Sequence, residues 1–295
     1  STITFGIDPL VNKYEKYYKN INYKSSNFFD YNLVKKKIKQ KFKIITALSV
    51  FYDLQDPNKF LKGIEKLLDE EGIALIEFAD LASIIKLNMF DTICHEHLEY
   101  YSTKVLIKML VKNNLKLIYL KSNKINGSSK QYYITKKNSK FKQNARIIRK
   151  NILLENKLKL EKQSTYLDFI KKINIIGINL KRKLNKIKKN GQSIHGYGAS
   201  TKGNVLLQYY GLDTNFIDYI AERNSKKFNY YTPGTNIKII SEALSRRINP
   251  DFYLVLPWHF KNEIIVREKK TIQGGSSFIF PLPKINTIKK VNNRI

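Results

Sequence analysis

Residues 192–212, QSIHGYGASTKGNVLLQYYGL, combine a short apolar run, a glycine-rich turn and an amphipathic segment. This pattern predicts a buried strand that turns tightly into a helix beginning near Ser200. Further strand-like runs follow in FIDYIAERN, IKIISEAL, DFYLVLPWHF and SSFIFPLP. Buried strands that alternate with helices indicate a doubly wound, largely parallel sheet. We therefore predict a Rossmann-like α/β domain over residues 191–295, which ends in a loose basic tail, KINTIKKVNNRI.

The glycine turn of this stretch resembles a phosphate-binding turn without matching a standard one. Its spacing is G-x-G-x-x-x-x-G, and Thr201 stands where a dinucleotide-binding turn has its third glycine. A helix that starts directly after such a turn offers unpaired N–H groups to an anion. The turn is either a simple packing element or a phosphate site, and Lys202 beside it favours the phosphate site. Glu222, at the end of the next predicted strand, occupies the place of a ribose-binding acid.

The first 140 residues predict another α/β domain. Strand-like runs in TITFGID, INYKSSNFF, KIITALSVFY and IALIEFA alternate with helical segments. Those helices are predicted in PLVNKYEKYYKN, near Tyr31–Gln40, in DPNKFLKGIEKLLDEEG up to Gly72, and after Ser102. Residues 141–190 carry a long helical pattern, which predicts a connector between the two domains.

Composition narrows the class of protein. The chain has 295 residues, 42% of them hydrophobic, which is enough for buried cores, and one cysteine, which excludes an internal disulfide. No apolar run reaches the roughly 18 residues that a membrane helix needs. We therefore predict a cytoplasmic protein with no membrane partner.

The net charge of +30 raises nucleic acid as a partner. The lysines are dispersed along the chain, however, and Asn and Ile are also abundant, which indicates a coding bias towards A/T-rich codons. We predict no nucleic-acid partner, although a basic nucleic-acid-binding protein without catalytic activity stays open as an alternative. The field of the lysines would still attract a phosphate-bearing substrate.

A second notable stretch, FDTICHEHLEYYS at residues 90–102, concentrates reactive side chains. Adjacent loop residues cannot all converge on one metal ion, and the chain has no second Cys/His group, so a metal site is disfavoured. Two interpretations remain: histidines bonded to backbone groups, or an acid–base site. Histidine takes up a proton near neutral pH, and a neighbouring carboxylate can orient its ring.

The other two histidines, His195 and His259, stand at predicted strand ends of the C-terminal domain, where clefts form in α/β proteins. Trp258, the single tryptophan of the chain, precedes His259. It could stack on a base or sugar, or belong to the core or rim of the domain.

Several motifs, in order along the chain, resemble one family. FDTICHEHLEYYS, INGSS, GYGASTKGN, YTPGTNIKI, PWHF and the final GG…FIFPLP are similar to sugar C-methyltransferases that use S-adenosylmethionine. Members of this family act on nucleotide-linked 4-keto-deoxysugars. The resemblance implies three parts: a small zinc-binding domain, a Rossmann-like methyltransferase domain, and a C-terminal Rossmann-like domain that helps to hold the nucleotide sugar.

The resemblance also assigns roles to residues. It implies that Asp8 binds the adenosine ribose, that Ala47, Leu48 and Ser49 line the cofactor cleft, and that His97 is the catalytic base with His95 and Glu96 beside it. The residues implied for holding the nucleotide sugar are Tyr197, Gly198, Ser200, Lys202, Asn204, Glu222, Trp258 and His259.

By the same resemblance, this chain lacks the zinc domain and the first glycine-rich turn of the methyltransferase domain. We therefore expect no zinc in this chain, weak binding of S-adenosylmethionine and little activity of the chain by itself. Cys94 replaces a tyrosine common in the family, FYDLQDP stands where many members have a histidine, and Ser128 replaces a glycine. The first two departures predict a subfamily with a different sugar or methylated carbon.

The chemistry implied is removal of a proton beside the ketone, which gives an enolate that attacks the sulfonium methyl group. A rival interpretation is an NAD(P)-dependent sugar oxidoreductase that uses GYGASTKG as its dinucleotide site. The glycine spacing disfavours that rival. The sequence leaves the sugar, the nucleotide and the oligomeric state open.

Overall fold

The computed structural model describes residues 2–290, which form twelve strands and ten α-helices. The strands in chain order are β1 (Phe5–Ile7), β2 (Tyr23–Ser25), β3 (Phe42–Leu48), β4 (Leu68–Phe78), β5 (Leu115–Asn123), β6 (Ser129–Lys136), β7 (Ile194–Tyr197), β8 (Tyr219–Glu222), β9 (Ile239–Ser241), β10 (Phe252–Val255), β11 (Ser277–Phe280) and β12 (Asn286–Ile288). The helices are α1 (Tyr31–Lys37), α2 (Pro57–Leu67), α3 (Leu81–Lys86), α4 (Thr103–Lys112), α5 (Ala145–Leu158), α6 (Gln163–Lys189), α7 (Thr201–Tyr210), α8 (Glu242–Ile248), α9 (Lys261–Arg267) and α10 (Lys269–Gln273).

The chain folds into two compact units whose segments alternate along the sequence. Unit 1 comprises residues 1–78, 103–121 and 131–149, and unit 2 comprises residues 79–102, 122–130 and 150–295. These borders differ from the predicted ones at residues 140 and 190, because two short segments of the first 140 residues pack with the C-terminal part of the chain. One of those segments carries the histidine-rich stretch.

Unit 2 contains a six-stranded sheet in the order β12-β11-β10-β7-β8-β9. All neighbouring pairs from β11 to β9 are parallel, and β12 pairs antiparallel with β11. From β7 the chain adds β8 and β9 on one side, then crosses over to add β10 and β11 on the other. This reversal creates a switch point between β7 and β10, where ligands bind beyond the carboxyl ends of strands in such sheets. The predicted doubly wound α/β class is confirmed for this part of the chain.

Unit 1 contains a four-stranded sheet in the order β3-β4-β6-β5 and a separate parallel pair, β1 with β2. Strand β3 runs parallel to β4 and forms an edge of the larger sheet. Ile44 on β3 is 72% exposed, which is unusual for an aliphatic residue in the middle of a strand. The mixed α/β character predicted for the first 140 residues is confirmed.

Polar side chains fix where three of the helices begin. The Asp30 carboxylate accepts hydrogen bonds from the N–H groups of Asn32 and Leu33 at 2.8 and 3.2 Å, and α1 follows. Asp56 caps α2 through the N–H of Lys59 at 2.8 Å, with Pro57 in the first turn. Ser200 caps α7, which begins where the sequence predicted.

Two predicted helices are wrong in extent. PLVNKYEKYYKN forms only a 3₁₀ helix over Asn12–Tyr17, because no residue of Asn12–Tyr17 is buried and no packed face supports a longer helix. Helix α2 ends at Leu67 instead of Gly72, because Leu68 already pairs with Phe42 in the sheet. Gly72 lies within β4, where a Cβ atom would come within 2.8 Å of the Phe42 carbonyl oxygen.

The tail was predicted to be loose, yet residues 286–288 form β12 at the edge of the unit 2 sheet. The last part of the predicted tail, residues 291–295, lies outside the described residues. Within residues 2–290, none of the helices has the length and hydrophobicity needed to cross a bilayer.

Candidate functional site

The carboxyl ends of β7 and β10 meet at the switch point of the unit 2 sheet. Gly198, directly after β7, has a φ of +86°, and a Cβ atom there would lie 2.8 Å from the Pro257 ring. Glycine is therefore required both for the backbone conformation and for the close approach. The turn after β7 and the PWHF segment after β10 consequently form one continuous surface within unit 2.

Glu222 holds the glycine turn in place. Its carboxylate accepts hydrogen bonds from three backbone N–H groups, those of Ala199 at 2.7 Å and of Arg223 and Asn224 at 2.8 Å each. The Lys227 ammonium donates to the Ala199 carbonyl at 2.6 Å from the other side. This arrangement favours a structural role for Glu222 over the ribose contact that the sequence predicted.

Helix α7 begins at the turn and has the geometry of an anion site. Ser200 uses its hydroxyl oxygen to accept from the N–H of Gly203 at 3.0 Å. The half-buried side chains of Lys202 and Asn204 lie in the first turn of the helix. The helix dipole and its first N–H groups add a partial positive charge there. The N-terminus of α7 therefore has the geometry that the predicted anion site requires.

Tyr197 belongs to the core of unit 2. It is 2% exposed, and its hydroxyl donates to Glu268 at 2.7 Å while the Arg267 guanidinium donates to the hydroxyl oxygen at 2.6 Å. Burial raises the pKa of this hydroxyl strongly. A side chain so enclosed does not fit the ligand contact that the resemblance implied.

The histidine-rich stretch places its three candidate catalytic residues differently. His97 is half-buried and donates from Nδ1 to the Thr92 carbonyl oxygen at 2.7 Å. A carbonyl can only accept, so Nδ1 carries the proton and the ring's lone pair resides on Nε2. His95 and Glu96 are exposed. The Thr92 bond thus holds His97 in a defined tautomer.

Asp91, in the same stretch, joins it to the PWHF segment 167 residues later. The Trp258 indole N–H donates to Asp91 Oδ2 at 2.7 Å, and both side chains are buried. The core alternative therefore fits Trp258 better than the stacking role. Sequence reasoning missed Asp91, although a carboxylate within the apolar run Phe90-Asp91-Thr92-Ile93 was a usable signal.

The INGSS segment, residues 125–129, packs against Met89, directly before the histidine-rich stretch, and against the PWHF segment. Gly127 has a φ of +99°, and a Cβ atom there would lie 3.0 Å from Met89 and 3.3 Å from Trp258. The Lys202 ammonium donates to the Asn126 carbonyl oxygen at 2.8 Å. Four motifs that are distant in sequence therefore come together within unit 2: residues 90–97, 125–129, 196–204 and 257–260.

The positive charge of Lys202 affects the pKa of each of the titratable side chains His97, His259 and Asp91 at this site. Burial lowers the pKa of Lys202, opposed by the attraction of Asp91 and Cys94. The pKa of His97 is lowered by burial and by the Lys202 charge, whereas the bond to Thr92 acts in the opposite direction. Burial and Lys202 together lower the pKa of His259 to about 4. Burial raises the pKa of Asp91, against the effect of Lys202.

Some polar atoms of this group are buried without a protein partner. Among the described residues they include Asp91 Oδ1, Thr92 Oγ1 and His259 Nδ1. Unpaired buried polar atoms cost about 1–3 kcal/mol each, so natural proteins rarely retain them without a water or a ligand to pair with. The unpaired polar atoms therefore indicate that the four motifs form a ligand-binding site and not a fully packed hydrophobic core.

The predicted cofactor residues lie at the carboxyl ends of β1 and β3 in unit 1. Asp8 closes a turn by accepting from the N–H of Leu10 at 2.7 Å through one oxygen. Ala47 is buried, Leu48 is 54% exposed, and Ser49 adopts a φ of +54° while its N–H donates to the Glu77 carbonyl at 2.8 Å. Exposed apolar surface and a carboxylate at strand ends fit the adenosine part of a nucleotide cofactor.

Within residues 2–290, no group of three or more Cys, His, Asp and Glu side chains is arranged to hold a metal ion. The expectation that this chain binds no zinc stays a prediction.

Residues 124–283 match the family model of the C-methyltransferase C-terminal domain. The chain belongs to the C-methyltransferase family. It is also 26% identical, over 247 residues, to the C-methyltransferase NovU of Streptomyces niveus. That alignment covers 83% of this chain and 58% of NovU, so the chain spans little more than half the length of this relative.

Solved structures resemble this C-methyltransferase family member only distantly. An S-adenosylmethionine-dependent methyltransferase from Clostridium acetobutylicum gives a TM-score of 0.36 at 12% identity, over 45% of this chain and 75% of that one. The N-methyltransferase NodS from Bradyrhizobium japonicum gives 0.34 at 14% identity, over 45% and 73%. Scores this low support no argument about fold or activity.

Unit 2 of this family member also contains a cavity of about 630 Å³ beside the histidine-rich stretch. Its walls are mainly apolar and aromatic, with Phe90, Tyr100, Phe169 and Tyr209 among them, and Glu99 contributes a carboxylate. An apolar wall with a negative charge does not suit a diphosphate. We therefore expect any phosphate at the beginning of α7 instead.

His195 does not face a cleft, contrary to its prediction. It lies within β7, is 1% exposed, and bonds through Nδ1 to the Ser245 hydroxyl at 2.8 Å. Burial lowers its pKa from the usual 6.5 to about 4. The unfolded state therefore binds more protons between these values, and stability falls as the pH decreases through this window.

For His195→Gln, which cannot titrate, we expect less acid sensitivity than in the unchanged protein. The loss in the free energy of unfolding between about pH 7.5 and pH 5 should shrink by about 2 kcal/mol. Urea unfolding at the two pH values measures this. An equal loss in both proteins would show that His195 is not buried in its neutral form.

Proposed function

We propose that the protein is an S-adenosylmethionine-dependent C-methyltransferase that acts on a nucleotide-linked 4-keto-deoxysugar. The observation that supports this most is the tautomer of His97, whose Nδ1 bond to Thr92 leaves a basic Nε2 in a half-buried site. Membership of the C-methyltransferase family and the similarity to NovU support the reaction class.

His97 removes the proton in this proposal. Its Nε2 takes a proton from a carbon next to the C4 ketone, and the electron pair of that C–H bond forms the enolate. The lowered pKa keeps the imidazole unprotonated at neutral pH, so the base is ready before the substrate binds. The imidazolium that results returns its proton to solvent after the reaction.

S-adenosylmethionine, when bound, supplies a methyl group that is activated by its positive sulfur. The residues of unit 1 that would hold its adenosine part are Asp8, through hydrogen bonds from the ribose hydroxyls, and Ala47, Leu48 and Ser49 at the end of β3. A carboxylate has acceptor sites on two oxygens, so the turn bond from Leu10 to Asp8 Oδ1 leaves capacity for the ribose.

The beginning of α7 binds the diphosphate of the sugar nucleotide in this proposal. The Gly198 turn leads directly into α7, and Ser200 and Asn204 flank its first helical turn. Because the diphosphate is negative, the helix dipole and the first N–H groups stabilise it. His259 and Trp258 form the wall after β10.

The test is methyl transfer measured by mass spectrometry. The protein is incubated with saturating S-adenosylmethionine and a thymidine-diphosphate-linked 4-keto-6-deoxyhexose, and a small fraction of the sugar nucleotide is expected to gain one CH₂ unit, since this chain is expected to bind the methyl donor weakly. Carbon NMR of the product would identify the methylated position. A sugar that is reduced by NADPH, with no methyl transfer, would establish the oxidoreductase alternative instead.

Asp8→Asn tests the cofactor residues separately. Removing the charge weakens hydrogen bonds from ribose hydroxyls, and hydrogen bonds to charged groups contribute about 1.5–3 kcal/mol, so the affinity for S-adenosylmethionine should fall by at least about tenfold. Isothermal titration calorimetry measures the affinity, with Asp69→Asn at the surface as the control. Equal affinities would remove Asp8 from the proposed cofactor site.

A further inference from the structure

The proposed reaction requires a cation that the sequence did not assign. Removing a proton next to a ketone puts negative charge on the ketone oxygen, and a base alone does not stabilise that charge. The oxygen is two bonds from the carbon that loses its proton. A stabilising group must therefore lie within a few ångströms of the base, in the same site.

We propose that the Lys202 ammonium is this group, and that it contacts the enolate oxygen rather than the diphosphate that the sequence suggested. This inference rests on the proposed function. The ammonium has three N–H donors, and the Asn126 carbonyl accepts one of them at 2.8 Å. That bond fixes the ammonium at the meeting point of the four motifs of unit 2, with donors remaining for a substrate oxygen.

The surroundings of Lys202 distinguish a ketone from a diphosphate. The diphosphate of a nucleotide sugar is attached at C1, across the ring from the C4 ketone, whereas the base must reach a carbon adjacent to C4. Lys202 bonds to the Asn126 carbonyl, the adjacent Gly127 packs against Trp258, and Trp258 bonds to Asp91 in the stretch that carries His97. Lys202 therefore belongs to the ketone side. The buried Asp91 carboxylate also interacts with Lys202 and would repel a dianionic group there.

Asp91 is a positioning residue in this scheme. Its carboxylate is held by the Trp258 indole at 2.7 Å and offsets the positive charge of Lys202 before the substrate binds. The other titratable groups that interact with Lys202 include Cys94, His97 and His259. When His97 takes the proton, the bond electrons move to the ketone oxygen beside the ammonium. The negative charge that forms on the enolate oxygen is therefore stabilised by the Lys202 ammonium.

The test is exchange of the substrate α-proton with deuterated water, followed by NMR without any methyl donor. The probe is the thymidine-diphosphate-linked 4-keto-6-deoxyhexose at saturating concentration. Lys202→Met keeps the aliphatic stem and removes the charge, and it should slow exchange about 10²–10³-fold, as loss of an oxyanion donor does. Its dissociation constant for the probe should change less than about threefold, and Lys202→Arg should recover part of the rate.

If Lys202 binds the diphosphate instead, Lys202→Met should affect the affinity for the probe and not the exchange rate. The affinity of Lys202→Met for the probe would then fall by about tenfold or more, whereas exchange at saturation would continue at the unchanged rate. That result overturns the inference and leaves the proposed function intact. No α-proton exchange by the unchanged protein would instead contradict the proposed function itself.

Two further measurements guard against a purely structural effect. Lys188→Met removes the same charge from a partly exposed pair with Asp218, and exchange should stay unchanged in it. NMR titration of His97 needs no substrate: loss of the neighbouring ammonium should raise the imidazole pKa in Lys202→Met. An unchanged His97 pKa would place the two groups too far apart to serve one enolate, and would also overturn the inference.

Discussion

His97→Gln is expected to reduce α-proton exchange by about 10³-fold or more, towards the upper part of the range for loss of a general base. Glutamine keeps a hydrogen-bond donor for the Thr92 carbonyl but has no basic nitrogen, so the fold should persist while the proton has no acceptor. Exchange into deuterated water, measured by NMR on the keto-sugar probe, gives the rate. Circular dichroism confirms that the variant is folded.

His95→Gln separates the two neighbouring histidines. His95 is exposed, and we expect its replacement to cost far less than that of His97. If the two substitutions have equal effects, or if only His95→Gln is inactive, the assignment of the base to His97 is wrong. The acid limb of the exchange rate should also lie below pH 6.5, since the folded site lowers the His97 pKa.

Lys130→Met is expected to lower the free energy of unfolding by about 3–5 kcal/mol, the usual cost of removing one partner from a buried ion pair. The Lys130 ammonium lies 3.1 Å from Asp80 and 3.7 Å from Glu155, and none of the three side chains is more than 7% exposed. Without the ammonium, two buried carboxylates lose their shared counter-charge. The three residues come from the three separate segments of unit 2, so the loss should weaken the whole unit.

Urea unfolding measures this difference, and a surface pair of unit 1 supplies the control. Lys43 bonds to Asp69 at 2.8 Å with a side chain that is 66% exposed, and solvent-exposed pairs of this kind contribute little to stability. Lys43→Met should therefore change stability little. Similar losses in Lys43→Met and Lys130→Met would show that burial does not determine the contribution of these pairs.

The sequence predicted the C-terminal sheet well because its signals are local. An apolar run, the glycine turn and an amphipathic segment all lie within residues 192–212, and each acts on its own neighbours. Element ends were predicted less well where a partner strand decides them. Helix α2 ends at Leu67 because Leu68 pairs with Phe42, and nothing near Leu68 in sequence indicates that pairing.

The sequence predicted which residues belong to candidate sites, but it did not predict which of them lie close together. His97 and Lys202 were both selected, yet as parts of different domains with different ligands. Their shared environment depends on long-range contacts, such as the Trp258–Asp91 bond across 167 residues, which no periodicity or spacing reveals. Glu222 shows the same dependence on arrangement: its position matches a ribose ligand, and in the fold its oxygens accept from backbone N–H groups of the turn.

The alternating segments of unit 2 also restrict how such proteins can recombine. A chimera joined once, near residue 150, would take the lysine of the glycine turn from one parent and the histidine-rich stretch from the other. Its indole–carboxylate bond would then link side chains that had not evolved together. Transferring substrate preference between relatives therefore requires grafting three pieces at once, namely residues 79–102, 122–130 and 150 onwards.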